Sequence, residues 1–195
     1  MFVCTDEMYY ICARSHSTVN KKAMIKIRRG YFLLLLCMSL IVTSCVRGDE
    51  PVEVCEYVRV GDSLPQLSLT LLDGTVVKND CWAGKRLVLI LFSTGCPDCQ
   101  KELPEIEYFY QKTKDQTNIH TLGISRENGH EVVEKYWEEH HLTFPCSPQK
   151  DRDVYNLFAS AIVPRIYVVN EQGIITHMYD DSNMPLADTL LEAVR

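Results

Sequence analysis

Leu87-Val88-Leu89-Ile90-Leu91-Phe92-Ser93-Thr94-Gly95-Cys96-Pro97-Asp98-Cys99-Gln100-Lys101-Glu102-Leu103-Pro104 is the stretch from which the rest of the 195-residue chain is read. Its first six residues form an unbroken apolar run, the pattern of a central strand buried on both faces. After Cys96 the apolar positions Leu103, Ile106, Phe109 and Tyr110 recur at helical spacing with Lys and Glu between them, so a helix follows, and Pro104 is expected to kink it. Downstream, Ile119–Ser125 reads as the next strand and Glu131–His140 as a charged amphipathic helix bearing Val132, Val133, Tyr136 and Trp137. Asp153 is placed to cap a shorter helix through Phe158. Ile166–Val169 and Ile174–Tyr179 flank Asn170-Glu171-Gln172-Gly173 as a hairpin, and Pro185–Arg195 reads as a closing helix. Upstream, Gln66–Leu72 alternates, Asp73-Gly74 is a tight-turn signal and Thr75–Lys78 resumes the alternation, giving another hairpin. The order implies an α/β fold: a central mixed sheet with helices on both faces and an added N-terminal β-hairpin.

Two cysteines three apart at the start of a helix lie one turn apart on the same side, close enough for a reversible disulfide. Free N–H groups and the helix dipole favour an anion at Cys96, which is therefore the expected attacking thiolate. Cys99, deeper in the helix, is expected to attack a mixed disulfide on Cys96 and release reduced substrate. The same spacing also serves zinc, which needs two further ligands. Context separates the two readings. This pair follows a buried strand and opens a helix, no second Cys-x-x-Cys completes a metal site, and His140-His141 reads as a solvated helix face. Asp98 puts negative charge between the cysteines, which disfavours the Cys96 thiolate and argues for a reductant over a strong oxidant.

The net charge of −6 hides an asymmetry. Residues 1–45 carry six Lys or Arg against Asp6 and Glu7, leaving 14 basic and 24 acidic residues in the remainder. A surface that acidic, with no basic stripe, argues against nucleic-acid binding. Lys26, Arg28 and Arg29 precede the 12-residue apolar run Tyr31–Val42, the layout of a secretory signal. The run is too short to span a bilayer, which needs about 20 helical residues. Val42-Thr43-Ser44-Cys45 then resembles the bacterial lipobox, so cleavage before Cys45 and lipidation of Cys45 are expected, against the plainer reading of an ordinary signal peptide. Residues 1–23 look like no signal n-region, and translation from Met24 is the expected start; detection in cells of a peptide upstream of Met24 would contradict it. Residues 46–57 read as a tether and residues 58–195 as one domain, with a cell-envelope location facing the periplasm.

Phe92 to Pro104, with Glu-Leu-Pro after the cysteine pair, resembles the active-site segment of TlpA/ResA-type thioredoxin-like proteins. Val60-Gly61-Asp62-Ser63-Leu64-Pro65 is similar to their entry segment, and Val163-Pro164 before Arg165–Val169 to their cis-proline; the likeness covers residues 58–195. It implies a thioredoxin-like thiol-disulfide oxidoreductase with no cofactor. Pro164 would be cis and face Cys96 and Cys99, and the backbone of Val163 would pair with an extended substrate. Gly95 and Pro97 would complete the substrate-facing surface. The partners implied are protein thiols or disulfides and a membrane-bound electron donor, and a monomer is expected. Two departures stand out. Gly95 replaces the usual tryptophan, leaving a less shielded thiol and a more flexible loop, and Ile90 occupies the place of the buried Asp that thioredoxins use as proton acceptor. Glu102, one turn beyond Cys99, is the remaining carboxylate for that role, unless it is simply a solvated helix residue.

Of the other cysteines, Cys55 and Cys81 are placed to pair in an oxidising compartment, and Cys146 reads as a small core residue. Two rival functions stay open. A peroxiredoxin-like peroxidase needs a Ser or Thr three residues before its cysteine, which Ser93 meets, and a Pro seven before, which Leu89 fails. A binding protein with a structural Cys96–Cys99 disulfide is the other.

Overall fold

The computed structural model describes residues 54–195. The signal segment, the start at Met24, Cys45 and most of the tether lie outside the described residues.

The apolar run becomes β3, Arg86–Phe92, with Leu87 through Phe92 fully buried. Before it, β1 (Ser68–Thr70) and β2 (Val76–Lys78) form a two-stranded antiparallel sheet. This hairpin is shorter than its alternation suggested, because its turn begins early. Leu71 and Thr75 close it with a 2.8 Å backbone bond, Gly74 takes φ 83°, and the Asp73 carboxylate accepts the Thr75 N–H at 2.9 Å. Leu72 N–H then donates to Cys146 O at 2.9 Å and Ser147 Oγ donates to Thr70 O at 2.8 Å. The hairpin is thereby stitched to the edge of the main sheet.

After β3 come α1 (Pro97–Thr113), β4 (Ile119–Ser125), α2 (His130–Glu139) and β5 (Cys146–Ser147). A 3₁₀ turn at Tyr155–Leu157, β6 (Arg165–Val169), β7 (Ile175–Tyr179) and α3 (Ala187–Ala193) complete the chain, and another 3₁₀ turn, Asn79–Trp82, lies between β2 and β3. The main sheet runs β5-β4-β3-β6-β7, with β3–β4 and β4–β5 parallel and β3–β6 and β6–β7 antiparallel. This is the mixed α/β sheet of a thioredoxin-like fold. The helix expected from Asp153 is only the 3₁₀ turn at Tyr155–Leu157. Leu157 and Phe158 bond three residues back and Asn156 and Ala159 four, so no regular ladder is propagated, and Asp153 caps nothing; its own N–H donates to Asp151.

Side chains alternate across the sheet, so Phe92 and the Leu89–Tyr167 pair face opposite ways. On the Phe92 face, Trp137 of α2 packs on Phe92 and on Phe144 with ring centroids 5.1 Å apart in each case. Tyr110 of α1 meets Phe144 edge-on. On the other face Phe158, just after the 3₁₀ turn, packs on Tyr167 at 5.1 Å. Helix α3 docks on α1, where Glu105 accepts the Ala187 N–H at 3.0 Å. Chain pairing begins before Val58: Cys55 N–H donates to Ser160 Oγ at 2.8 Å, and Glu56 bridges to Ala159. Among the described residues no helix is long and apolar enough to cross a membrane.

Candidate active site

Strand β3 ends at Phe92, and the chain turns through Ser93–Gly95 to place Cys96 at the N-cap of α1, with Pro97 at the first helical position, where its missing N–H costs nothing. The turn is fixed at three points. Cys96 N–H donates to Ser93 O at 3.1 Å, Thr94 N–H to Asn128 Oδ1 at 2.9 Å, and Gln100 Nε2 to Thr94 O at 2.9 Å. A Cβ on Gly95 would meet nothing within 4 Å, so the approach to Cys96 is open at this residue.

Cys96 is half-buried and Cys99 fully buried, and both are free thiols. The Val163–Pro164 bond is cis, and Val163 O accepts the Cys96 thiol proton at an S···O distance of 3.3 Å. Beneath, Ser93 N–H donates to Cys99 Sγ at 3.5 Å. Burial pushes the Cys99 thiol well up; the Ser93 N–H opposes this, and neighbouring Cys96 adds to it.

Glu102 is 3% exposed, and its Oε1 has no hydrogen-bond partner. Burial, reinforced by the charge of Glu105, pushes its carboxyl up to about 7. It is therefore no solvated helix residue, and it shares the buried face of α1 with Cys99. The former acceptor position, Ile90, is a fully buried core residue of β3. Asp98 pairs with Lys101 at 2.7 Å on the exposed side of α1. Cys55 and Cys81, which the sequence left open as a pair, are both exposed free thiols. Cys146 is buried in the core, and burial raises its thiol well above its ordinary value.

Several residues around the site escaped the sequence reading. Asn128 and Gln100 hold the cysteine turn, and Arg152, Tyr155 and Arg165 hold the loop before Pro164. Nothing in the order of residues aims Asn128 at Thr94, 34 positions away.

A thioredoxin-like sheet that sets two cysteines one helical turn apart beside a cis-proline loop defines a class, the thiol-disulfide oxidoreductases. Sequence comparison agrees. The chain belongs to the AhpC/TSA family, whose model matches residues 60–178. It is 26% identical over 160 residues to the thiol-disulfide oxidoreductase ResA of Oceanobacillus iheyensis, covering 79% of this chain and 80% of that protein. It is 22% identical to ResA of Bacillus subtilis over 156 residues, covering 80% and 84% respectively. The crystal structure of StoA from Bacillus subtilis superposes with a TM-score of 0.57 at 20% identity, covering 69% of this chain and 100% of StoA, which speaks for the fold.

Proposed function

We propose that the chain reduces disulfides of other proteins through Cys96 and Cys99 on the outer side of a bacterial membrane, tethered by lipid on Cys45. The observation that carries this reading is the half-buried Cys96 Sγ, 3.3 Å from Val163 O, with Cys99 buried one turn behind it. An extended substrate pairs with the Val163 backbone beside Pro164, bringing its disulfide over Cys96. The Cys96 thiolate attacks one substrate sulfur, the substrate S–S bond breaks, and the other substrate sulfur leaves as a thiolate. Cys99 then gives its proton to the Glu102 carboxylate and attacks Cys96 Sγ; the mixed disulfide breaks, and the second substrate thiol departs. The product is a Cys96–Cys99 disulfide, returned to the dithiol by two electrons from a membrane-bound thiol donor.

The reducing direction is supported by Asp98. Lys101 pairs with it at 2.7 Å on the exposed side of α1, and such an exposed ion pair is worth under about 1 kcal/mol. The extracytoplasmic location rests on the basic stretch, apolar run and lipobox-like Val42-Thr43-Ser44-Cys45. Two measurements test the proposal. Insulin reduction driven by dithiothreitol is expected in the wild type and to be lost in Cys96→Ser; activity unchanged in that variant would end the mechanism. In fractionated cells, Cys45→Ser is expected to leave the membrane pellet, and a variant still fully membrane-bound would refute the lipid anchor.

A further inference from the structure

Four consecutive carbonyls lead into Pro164, and each accepts a hydrogen bond from a side chain. Arg152 Nη2 donates to Ser160 O at 2.7 Å. Arg165 Nε and Nη2 donate to Ala161 O at 3.1 and 2.9 Å. Tyr155 Oη donates to Ile162 O at 2.6 Å, and Cys96 Sγ to Val163 O at 3.3 Å. A loop whose carbonyls are all met by side chains is held from outside, not by a backbone ladder of its own.

The holders are themselves fixed. Arg165 is 2% exposed and ion-paired to Glu56 at 2.7 Å. Tyr155 is 1% exposed, with the guanidinium groups of Arg126 and Arg152 at 5.1 and 5.2 Å from its ring centre. From the far side, Ser160 N–H donates to Cys55 O at 3.0 Å. What this frame constrains is a strained residue: Ile162 sits at φ 73°. A β-branched side chain in the left-handed region is strained and persists only where its surroundings over-determine it. Tyr155 grips the carbonyl of that same residue, and the next carbonyl along is the one Cys96 touches.

We propose that Arg152, Tyr155 and Arg165 are positioning residues for substrate: they clamp the Ser160–Val163 loop so that the Val163 backbone is ready to pair with an extended, disulfide-bearing peptide. This rests on the exchange reading above and adds what sets peptide affinity. Loosening the clamp lets Ile162 relax and costs the peptide its preformed strand partner. A small aromatic disulfide reaches Cys96 without strand pairing and depends far less on the loop.

Arg165→Ala would strand Glu56 beside a buried gap and risks unfolding. Tyr155→Phe, which removes only the hydroxyl, and Arg152→Met, at a partly exposed position, are the variants to use. The probes are an extended peptide carrying a glutathione mixed disulfide and the small disulfide 5,5′-dithiobis(2-nitrobenzoate), each reduced by the pre-reduced protein. Losing one hydrogen bond to a part-buried acceptor is expected to lower kcat/KM for the peptide about tenfold, mainly through KM. The small disulfide is expected to lose several-fold less. An equal loss on both probes, or no loss on the peptide, in variants that still melt cooperatively, would overturn the clamp. A wild type that reduces neither probe, or a Cys96→Ser variant that reduces both, would instead overturn the exchange reading.

Discussion

Cys99 and Glu102 lie on the same helix face and out of water, so charge is costly on both: Glu102 is pushed up to about 7 and the Cys99 thiol higher still. A carboxylate poised near neutrality suits a proton acceptor. The rate at which Cys99 resolves a mixed disulfide is therefore expected to rise with pH through about 7, and Glu102→Gln to slow it about a hundredfold at pH 7.5 and to abolish that rise. The same burial sets a stability slope. The unfolded chain loses this proton near the ordinary 4.5 and the folded chain near 7, so the folded state binds the extra proton between those values. Stability fully present below 4.5 is lost as pH rises through about 7, by on the order of 3 kcal/mol. Urea unfolding across this range checks it: the slope should be shallower in Glu102→Gln than in the wild type, and equal slopes would remove Glu102 as its source. The cysteine pair was legible from its spacing together with the buried strand before it and the helix after it, whereas the burial that sets Glu102 apart from a solvated residue was not. Tyr155 and Arg165 were not legible, because their partners are carbonyls in an irregular loop, and carbonyls leave no mark in a sequence.

At the scale of elements, periodicity served best in β4 and α2. The strand Ile119–Ser125 has the bounds its pattern suggested, and Glu131–His140 is displaced by one residue from the helix His130–Glu139. Turn chemistry shortened the first hairpin, and mixed three- and four-back bonding reduced the Asp153 helix to one turn. Gly123 in β4 shows what pattern cannot reveal. A Cβ there would lie 3.0 Å from Phe144 and 3.3 Å from Phe92, so the glycine makes room for the aromatic cluster that seats α2 on the sheet. Gly123→Ala is expected to destabilise the domain by about 1–3 kcal/mol through overpacking. A lowered urea midpoint at unchanged m-value is the expected sign, and an unchanged midpoint would show that the rings yield freely.

Over the whole molecule, the sheet order β5-β4-β3-β6-β7 brings together residues that are far apart in the chain. Cys96 follows the central strand, and Val163, just before the antiparallel strand beside it, lies 67 positions later in sequence yet in contact with Cys96. The segment at Cys55–Glu56, at the edge of the expected tether, pairs with the loop that leads to Pro164, so the N-terminal end of the domain adjoins the cis-proline loop. Alternating strands and helices foretold the fold class; that adjacency arises only when the sheet closes. The exchange reading treats Cys96 and Cys99 as one two-electron couple, with Cys55, Cys81 and Cys146 standing apart from it. The most direct measurement is equilibration of the folded domain in thiol-disulfide buffers of graded potential, with each cysteine read by alkylation and mass spectrometry. The expected result is a single transition in which Cys96 and Cys99 change together, at a potential well below the roughly −120 mV of strong periplasmic oxidants. A transition that engages Cys55 or Cys81 in place of Cys99, or one lying near −120 mV, would contradict a reducing Cys96–Cys99 pair.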